Sequence, residues 1–157
     1  LLCMNDNSLT NDSALNKIIT VLENGKAGEK FEQMVAALGG PSNILSNYNN
    51  ILPNAKYTEE ILSNHEGYIE SISTRELGII LIELGGGRKK ITDKINYSVG
   101  FSDVIGIGKK VEKKCPLLKI HADSKDDVDC LRNKIIGCFR FTEKFVEEQK
   151  TIYNKIT

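Results

Sequence analysis

The sequence has no excess charge of either sign and no long apolar run. Its 157 residues include 21 basic and 21 acidic side chains, so the formal net charge is zero. A neutral chain gives no electrostatic reason to expect nucleic acid or an anionic membrane as a partner. The apolar runs, such as residues 79–82, are far shorter than the roughly 20 residues that span a bilayer. We therefore expect no nucleic-acid partner and no membrane partner.

Cysteine is scarce, and its spacing matches no zinc site and no Cys-x-x-Cys redox motif. Of the four cysteines, Cys130 and Cys138 would lie about 12 Å apart along one helix, too far for a disulfide. We expect reduced thiols and a cytoplasmic protein. The first residues lack a starting Met and the basic and apolar regions of a secretory signal. We expect the chain to begin in the middle of a larger protein.

Residues 1–55 have helical patterns and no strand pattern. We predict a helix over residues 13–23, capped by Asp12, because apolar residues recur there at i, i+3, i+4 and i+7. A second helix is predicted over residues 26–38, ending at Gly39. Residues 42–55 are rich in Asn and predict a short helical turn and a linker. This segment forms the first predicted domain.

Residues 56–157 have the mixed pattern of an α+β domain. Alternating and β-branched residues predict strands at residues 60–62, 68–72, 95–101, 104–107, 116–121 and 151–156. Residues 64–67 would form the turn between the first two strands. Thr74 is predicted to cap a helix over residues 74–84, and Ser124 a helix reaching residue 139.

Seven stretches resemble the C-terminal third of bacterial thymidine phosphorylases, the pyrimidine nucleoside phosphorylase family. They are LENGKA at 22–27, FEQMVAA at 31–37, TRELG at 74–78, GGGR at 85–88, TD at 92–93, INYSVGF at 95–101 and PLLKIHA at 116–122. Their order and intervals both fit that family from residue 17 to residue 121, whereas the tail from residue 123 fits loosely.

The resemblance implies a pentosyltransferase that cleaves thymidine with phosphate to thymine and 2-deoxyribose 1-phosphate. Such enzymes are homodimers with a small helical lobe and a large α/β lobe. Residues 56–157 would be the α/β hammerhead, related to barrel-sandwich hybrids, and residues 1–55 would be helices of the large lobe. Phosphate would be the co-substrate, and neither a metal nor an organic cofactor is expected.

The sequence departs from the family pattern mainly at the motifs that would carry the catalytic chemistry. The signature around Ser-Gly-Arg and Gly-Gly-Thr-x-Asp-x-Glu is not found in this sequence, and neither is the Lys-His-Ser phosphate-binding stretch. No residue here inherits a catalytic role, and we expect the catalytic groups upstream and this chain alone to be inactive. A smaller departure is Lys113, where relatives often carry Gly in the turn before the Pro-Leu strand.

Arg88 and Lys89 are the only substrate-binding candidates, as residues that help to close the cleft. They belong to Gly85-Gly-Gly-Arg-Lys-Lys90, which is not a Walker motif. Because this stretch follows a helix, we favour a helix C-cap whose cations offset the dipole. For residues 106–109 we favour a hairpin over a nucleotide loop. We interpret His65 and His121 as structural.

Two alternative functions remain open from the sequence. Thr92-Asp-Lys94 is similar to the modified tip of lipoyl and biotinyl carrier domains, which would make Lys94 the attachment site of a stand-alone carrier. The inserted helix at residues 74–84 is not typical of such carriers. The other alternative is a non-catalytic interaction module.

Overall fold

The computed structural model describes residues 1–149. The chain divides into two compact units, Leu1–Leu52 and Pro53–Thr157. The sequence placed the boundary after residue 55. The last predicted strand, at residues 151–156, lies outside the described residues. None of the helices in the described part is both long enough and apolar enough to cross a membrane.

The Leu1–Leu52 unit, all of which the structure describes, contains helices and no strand. Its elements are α1 (Leu2–Asn5), α2 (Asn11–Glu23), α3 (Lys26–Ala37) and α4 (Ile44–Ile51). Thr10 caps α2, since its side chain accepts a hydrogen bond from the amide of Ser13; the prediction of Asp12 as the cap was wrong. Asp12 lies in the first turn, where its negative charge interacts favourably with the helix dipole. Gly25, at φ 81°, permits the sharp turn into α3.

The Leu1–Leu52 unit buries very little apolar surface. Among its residues, all of them described, Ala14 alone is buried. The apolar stripe predicted for α2 exists, and α3 has one as well, but most of the side chains in these stripes are 40% or more exposed. Helices of this kind are stabilised mainly by packing of the apolar face. The unit therefore lacks the layer against which its helices would pack.

Up to residue 149, the Pro53–Thr157 unit has two three-stranded antiparallel sheets, with orders β1-β5-β3 and β4-β2-β6. The strands are β1 (Tyr57–Leu62), β2 (Gly67–Ile72), β3 (Gly100–Ser102), β4 (Lys110–Val111), β5 (Pro116–Ala122) and β6 (Phe139–Thr142). The helices are α5 (Thr74–Glu83) and α6 (Lys125–Ile136). This is the α+β class that the sequence predicted.

A single core joins the elements of this unit. Alternate residues of β5, Leu118, Ile120 and Ala122, are buried, whereas Lys119 and His121 are half-buried. Helix α6 contributes the buried side chains of Val128 and Ile135 and contacts both β1 and β5. The alternation predicted for β5 is confirmed, and α6 packs one face into the core.

Several predicted elements differ from the structure. The predicted strand 95–101 is reduced to Gly100–Ser102, and residues 104–107 form no strand. Ser73, not Thr74, precedes α5 as its N-cap residue. Helix α6 ends at Ile136, so Cys138 lies beyond it and Phe139 begins β6, which the sequence did not predict. Phe139 lies in β6 because it pairs with Ile72 of β2, which is distant in the sequence.

The turn before β5 contains the backbone conformation that favours glycine. Lys114 has φ 68°, in the left-handed region. Its amide donates to the carbonyl of Ser63, and the amide of Ser63 donates to the carbonyl of Cys115. The strained position is therefore Lys114, one residue after the Lys113 at which the sequence departs from the family pattern. Two hydrogen bonds between this turn and the residue that follows β1 hold it there.

Candidate functional site

The Gly85–Asn96 loop follows α5 and carries both predicted substrate-binding candidates. Gly85, at φ 101°, ends the helix, and its amide donates to the carbonyl of Ile82. The amide of Asn96 donates to the carbonyl of Gly85 at 2.9 Å. This hydrogen bond joins the two ends of the loop, so residues 86–95 form a closed loop. The interpretation of Gly85 as a helix terminator is confirmed.

Asp93 organises the inside of this loop. One of its oxygens, Oδ2, accepts hydrogen bonds from the amides of Lys89 at 3.0 Å and Lys90 at 2.8 Å. Those amides are the donors that a phosphate-binding loop would offer to a ligand. Because a carboxylate of the chain itself occupies them, the loop is not a preformed phosphate cradle. The interpretation that rejected a phosphate loop agrees with this geometry.

The side chains of Arg88 and Lys89 are exposed. The pKa of the Glu83 carboxyl is lowered mainly by the hydrogen bond from Lys134 and by the charge of Lys134. The positive charge of Lys89 lowers it further, by a smaller amount. Within residues 1–149, neither Arg88 nor Lys89 forms a side-chain ion pair of 4.0 Å or less. The structure therefore leaves both cations available for a ligand or partner, without assembling a site around them.

The Gly106–Lys109 turn is used by the chain itself. The amide of Gly108 donates to the carbonyl of Ile69, and the amide of Ile69 donates to the carbonyl of Lys109. The turn leads into β4 rather than into a helix, which excludes the usual geometry of a nucleotide loop. The predicted hairpin is also wrong, because β3 and β4 on either side of the turn lie in different sheets.

Both histidines have structural partners. Nε2 of His121 lies 2.8 Å from the hydroxyl of Ser102, and Nδ1 lies 3.1 Å from the hydroxyl of Thr58. One imidazole thus bridges all three strands of its sheet. The ring of His65 packs 4.8 Å from that of Phe141. The sequence did not predict these partners because they come from strands distant in the chain, and no local signal marks them.

Lys94 does not lie where a carrier lysine would. It is exposed within the irregular part of the loop, between residues with no strand assignment. The attachment lysine of a lipoyl or biotinyl domain would lie at the tip between two paired strands. The structure therefore provides no presenting hairpin for Lys94 among the described residues, and the carrier interpretation loses its structural basis.

The cavities of the described residues are open grooves. One, of about 580 Å³, places Lys110 and Lys113 beside the carboxylates of Glu66, Glu112 and Glu143. Another, of about 780 Å³, is mainly apolar and lies between α1 and α2. In the described part of the chain, no group of three or more His, Cys, Asp or Glu residues is arranged to hold a metal ion. Neither groove combines converging cations with an apolar slot for a planar base.

The fold and its loops define an α+β domain of two antiparallel sheets with no assembled catalytic centre among the described residues. The family model of the pyrimidine nucleoside phosphorylase C-terminal domain matches residues 68–142. Residues 68–142 thus belong to that family, whose enzymes are pentosyltransferases of nucleoside metabolism, and the resemblance is confirmed over this segment.

The matched segment begins inside β2 and ends with the last residue of β6. Strand β1 lies outside it, although β1 pairs with β5 from Tyr57 to Leu62. The structural unit is therefore larger than the matched segment, because β5 would lose one of its two neighbours without β1.

Proposed function

We propose that this chain is the C-terminal part of a thymidine phosphorylase and that its α+β unit is the hammerhead that supports the phosphate-binding lobe. The parent enzyme would be a cytoplasmic homodimer that takes thymidine and phosphate, without a metal or an organic cofactor. The single observation that carries this proposal is the match of residues 68–142 to the family's C-terminal domain. Thymidine, rather than another pyrimidine nucleoside, comes from the seven stretches that resemble thymidine phosphorylases.

The chemistry explains why support, rather than catalysis, is the proposed role. Phosphorolysis must hold a phosphate dianion and stabilise the negative charge that develops on the departing pyrimidine, which takes several converging donors. In the groove beside β4, carboxylates surround the lysines. Glu66 lies 3.8 Å from Lys113. A dianion would meet repulsion there, so this groove is unsuited to phosphate.

The Leu1–Leu52 unit supports the same proposal. Its helices leave their apolar stripes uncovered, and an α/β lobe covers its sheet with helices of this kind. We assign residues 1–55 to the large lobe on this basis. The hammerhead would then follow as a separately folded unit with its own core.

A chimeric enzyme tests the proposal. The C-terminal third of a bacterial thymidine phosphorylase is replaced by residues 22–157 of this chain, joined at the start of the LENGKA stretch so that the host supplies the catalytic residues. We expect thymidine phosphorolysis within about tenfold of the host rate, because this chain would hold the host's reacting groups in the same geometry. A chimera that folds and dimerises but releases no thymine would contradict the proposal. So would thymine release by the 157-residue chain alone.

Two matched substitutions test whether the activity of the chimera depends on the folded core of this unit. Ile120→Asp places a charge in the core, where Ile120 is fully buried. Ile79→Asp makes the same change on the exposed side of α5, where Ile79 is 41% exposed. We expect the first to abolish activity and the second to preserve it. The ratio of thymidine to uridine turnover should stay that of the host, and a shifted ratio would mean that this segment contacts the base.

A further inference from the structure

The Gly85–Asn96 loop concentrates positive charge. It contains four cations and one carboxylate, that of Asp93, so its net charge is +3, whereas the remainder of the chain has a net charge of −3. Within residues 1–149, none of the four cations forms a side-chain ion pair of 4.0 Å or less. The loop therefore carries an excess of positive charge that is complementary to a phosphate dianion.

We propose that Asp93 is a positioning residue for phosphate, and this proposal rests on the proposed function. Its carboxylate holds the amides of Lys89 and Lys90, at 3.0 and 2.8 Å, and its own amide donates to the carbonyl of Lys90 at 3.0 Å. These three hydrogen bonds fix the backbone of residues 89–93. With the amides occupied, the side chains of Arg88 and Lys89 are the groups that meet the anion.

The base of the loop is held separately, by Asn96. Its backbone amide donates to the carbonyl of Gly85, directly after α5, and its side-chain Nδ2 donates to Oδ2 of Asp123 at 2.6 Å, directly after β5. Among the described residues, the buried core includes none from residues 86–95. Loss of Asp93 should therefore release the inside of the loop, while the unit folds and the loop stays attached at its base.

Positioning and charge predict opposite effects of removing Asp93. A carboxylate near a bound anion repels it, so its removal should tighten phosphate binding if the charge alone matters. If Asp93 positions the cations, Asp93→Ala should weaken phosphate binding although the loop becomes more positive. Asp93→Asn separates the two effects, because its amide oxygen can still accept from the backbone amides while the negative charge is gone.

Steady-state kinetics of the active chimera provide the test. We expect Asp93→Ala to raise KM for phosphate about tenfold, the equivalent of one lost charge-assisted contact. Because ground-state binding is lost rather than the chemical step, kcat and KM for thymidine should stay the same. Asp93→Asn should keep KM for phosphate within about twofold of the unaltered chimera, or lower it.

Two further variants identify the groups through which Asp93 acts. Asp126→Ala is the matched control, since it removes a carboxylate from the exposed first turn of α6 and should leave KM for phosphate unchanged. Added to the double variant Arg88→Gln and Lys89→Gln, Asp93→Ala should raise KM no further, because the cations that it positions are already gone.

Hydrogen exchange of the 157-residue chain follows the loop without any substrate. The amides of Lys89 and Lys90 should exchange faster in Asp93→Ala and at nearly the unaltered rate in Asp93→Asn. Unchanged exchange in Asp93→Ala, an unchanged or lowered KM for phosphate in that variant, or an equal rise in both variants would overturn the inference alone. An unaltered chimera that folds but is inactive would instead contradict the proposed function, and the phosphate role of Asp93 with it.

Discussion

The ammonium group of Lys134 lies 2.7 Å from Oε2 of Glu83 and joins the last turns of α6 and α5. Glu83 stands at a helix C-terminus, where the dipole disfavours a carboxylate. The hydrogen bond from Lys134, and then its charge, hold the pKa of Glu83 below its ordinary value of 4.5. The same contact raises the pKa of Lys134. The pair thus couples the two helices of the α+β unit in a pH-dependent way.

Removing the cation should make this coupling visible in the free energy of unfolding. Because folding lowers the pKa of Glu83, the pair stabilises the fold above the unfolded pKa, and this stabilisation is lost as pH falls through the lowered folded value. We expect Lys134→Gln to be slightly less stable than the unaltered chain at pH 7, with the difference vanishing in acid. Urea titrations from pH 7 down to roughly pH 2.5 measure it.

Glu83→Gln provides the control for this pair. In that background Lys134→Gln should change stability by the same small amount at every pH, since no carboxylate remains at position 83 for the lysine to stabilise. A pH-dependent effect of Lys134→Gln that persists without Glu83 would assign the coupling to another group.

The centre of β5 should be the most sensitive position in the core. Ile120 is fully buried and pairs with Glu59 on one side and Phe101 on the other. We expect Ile120→Ala to destabilise the unit by about 2–5 kcal/mol, through lost burial and the cavity left behind. Ile79→Ala, on the exposed side of α5, should cost less than about 1 kcal/mol. Equal midpoints of urea unfolding for the two variants would show that β5 is not central to the core.

Gly108 should be required for the docking of residues 143–148. It has φ 85°, and a β-carbon there would approach Cα and N of Glu148 to 2.8 Å. The same segment is held by the Lys109–Glu148 ion pair and by Phe145 against the ring of Tyr68. We expect Gly108→Ala to destabilise this docking by about 1–3 kcal/mol.

Hydrogen exchange at residues 143–148 measures that docking. In Gly108→Ala these amides should exchange faster, whereas the amides of β5 should change little. Gly106→Ala is the matched control, because a β-carbon at Gly106 meets nothing within 4 Å. Unchanged protection in Gly108→Ala would show that the segment does not depend on this close approach.

The loop cations should affect phosphate if they help to close the cleft. In the active chimera we expect Arg88→Gln or Lys89→Gln to raise KM for phosphate by about tenfold, the effect of losing one charge-assisted contact. Lys90→Gln is the comparison variant, because it removes the next positive charge of the same loop. Steady-state kinetics at saturating thymidine give the answer, and an unchanged KM in both variants would exclude Arg88 and Lys89 as substrate-binding residues.

The helices were the part of this fold that sequence could predict. Ser124 accepts from the amide of Asp127, as its position before α6 indicated, and Gly85 ends α5. Such caps depend on residues within one turn of each other. The buried face of α6 was likewise readable from a 3.6-residue period. The family resemblance followed from local stretches and was confirmed over residues 68–142.

Strand partners were beyond the reach of the sequence. Tyr57 pairs with Ala122, whereas β1 and β2, adjacent in the chain, lie in different sheets. A strand pattern states which side of a strand is buried but not which strand lies beside it. For the same reason Phe139 was predicted as the end of a helix, although its place in β6 is decided by pairing with Ile72.

The sequence by itself determined the helices α2, α3, α5 and α6, several of their ends, the α+β class and the family of residues 68–142, because each of these depends on neighbouring residues or on short stretches in a fixed order. Only the tertiary structure decided that His121 bridges Thr58 and Ser102, that Asp93 accepts hydrogen bonds from the amides of Lys89 and Lys90, and that Ile120 is fully buried. These properties depend on distances between groups that are remote in the chain or on what remains in contact with water, and a linear pattern contains neither.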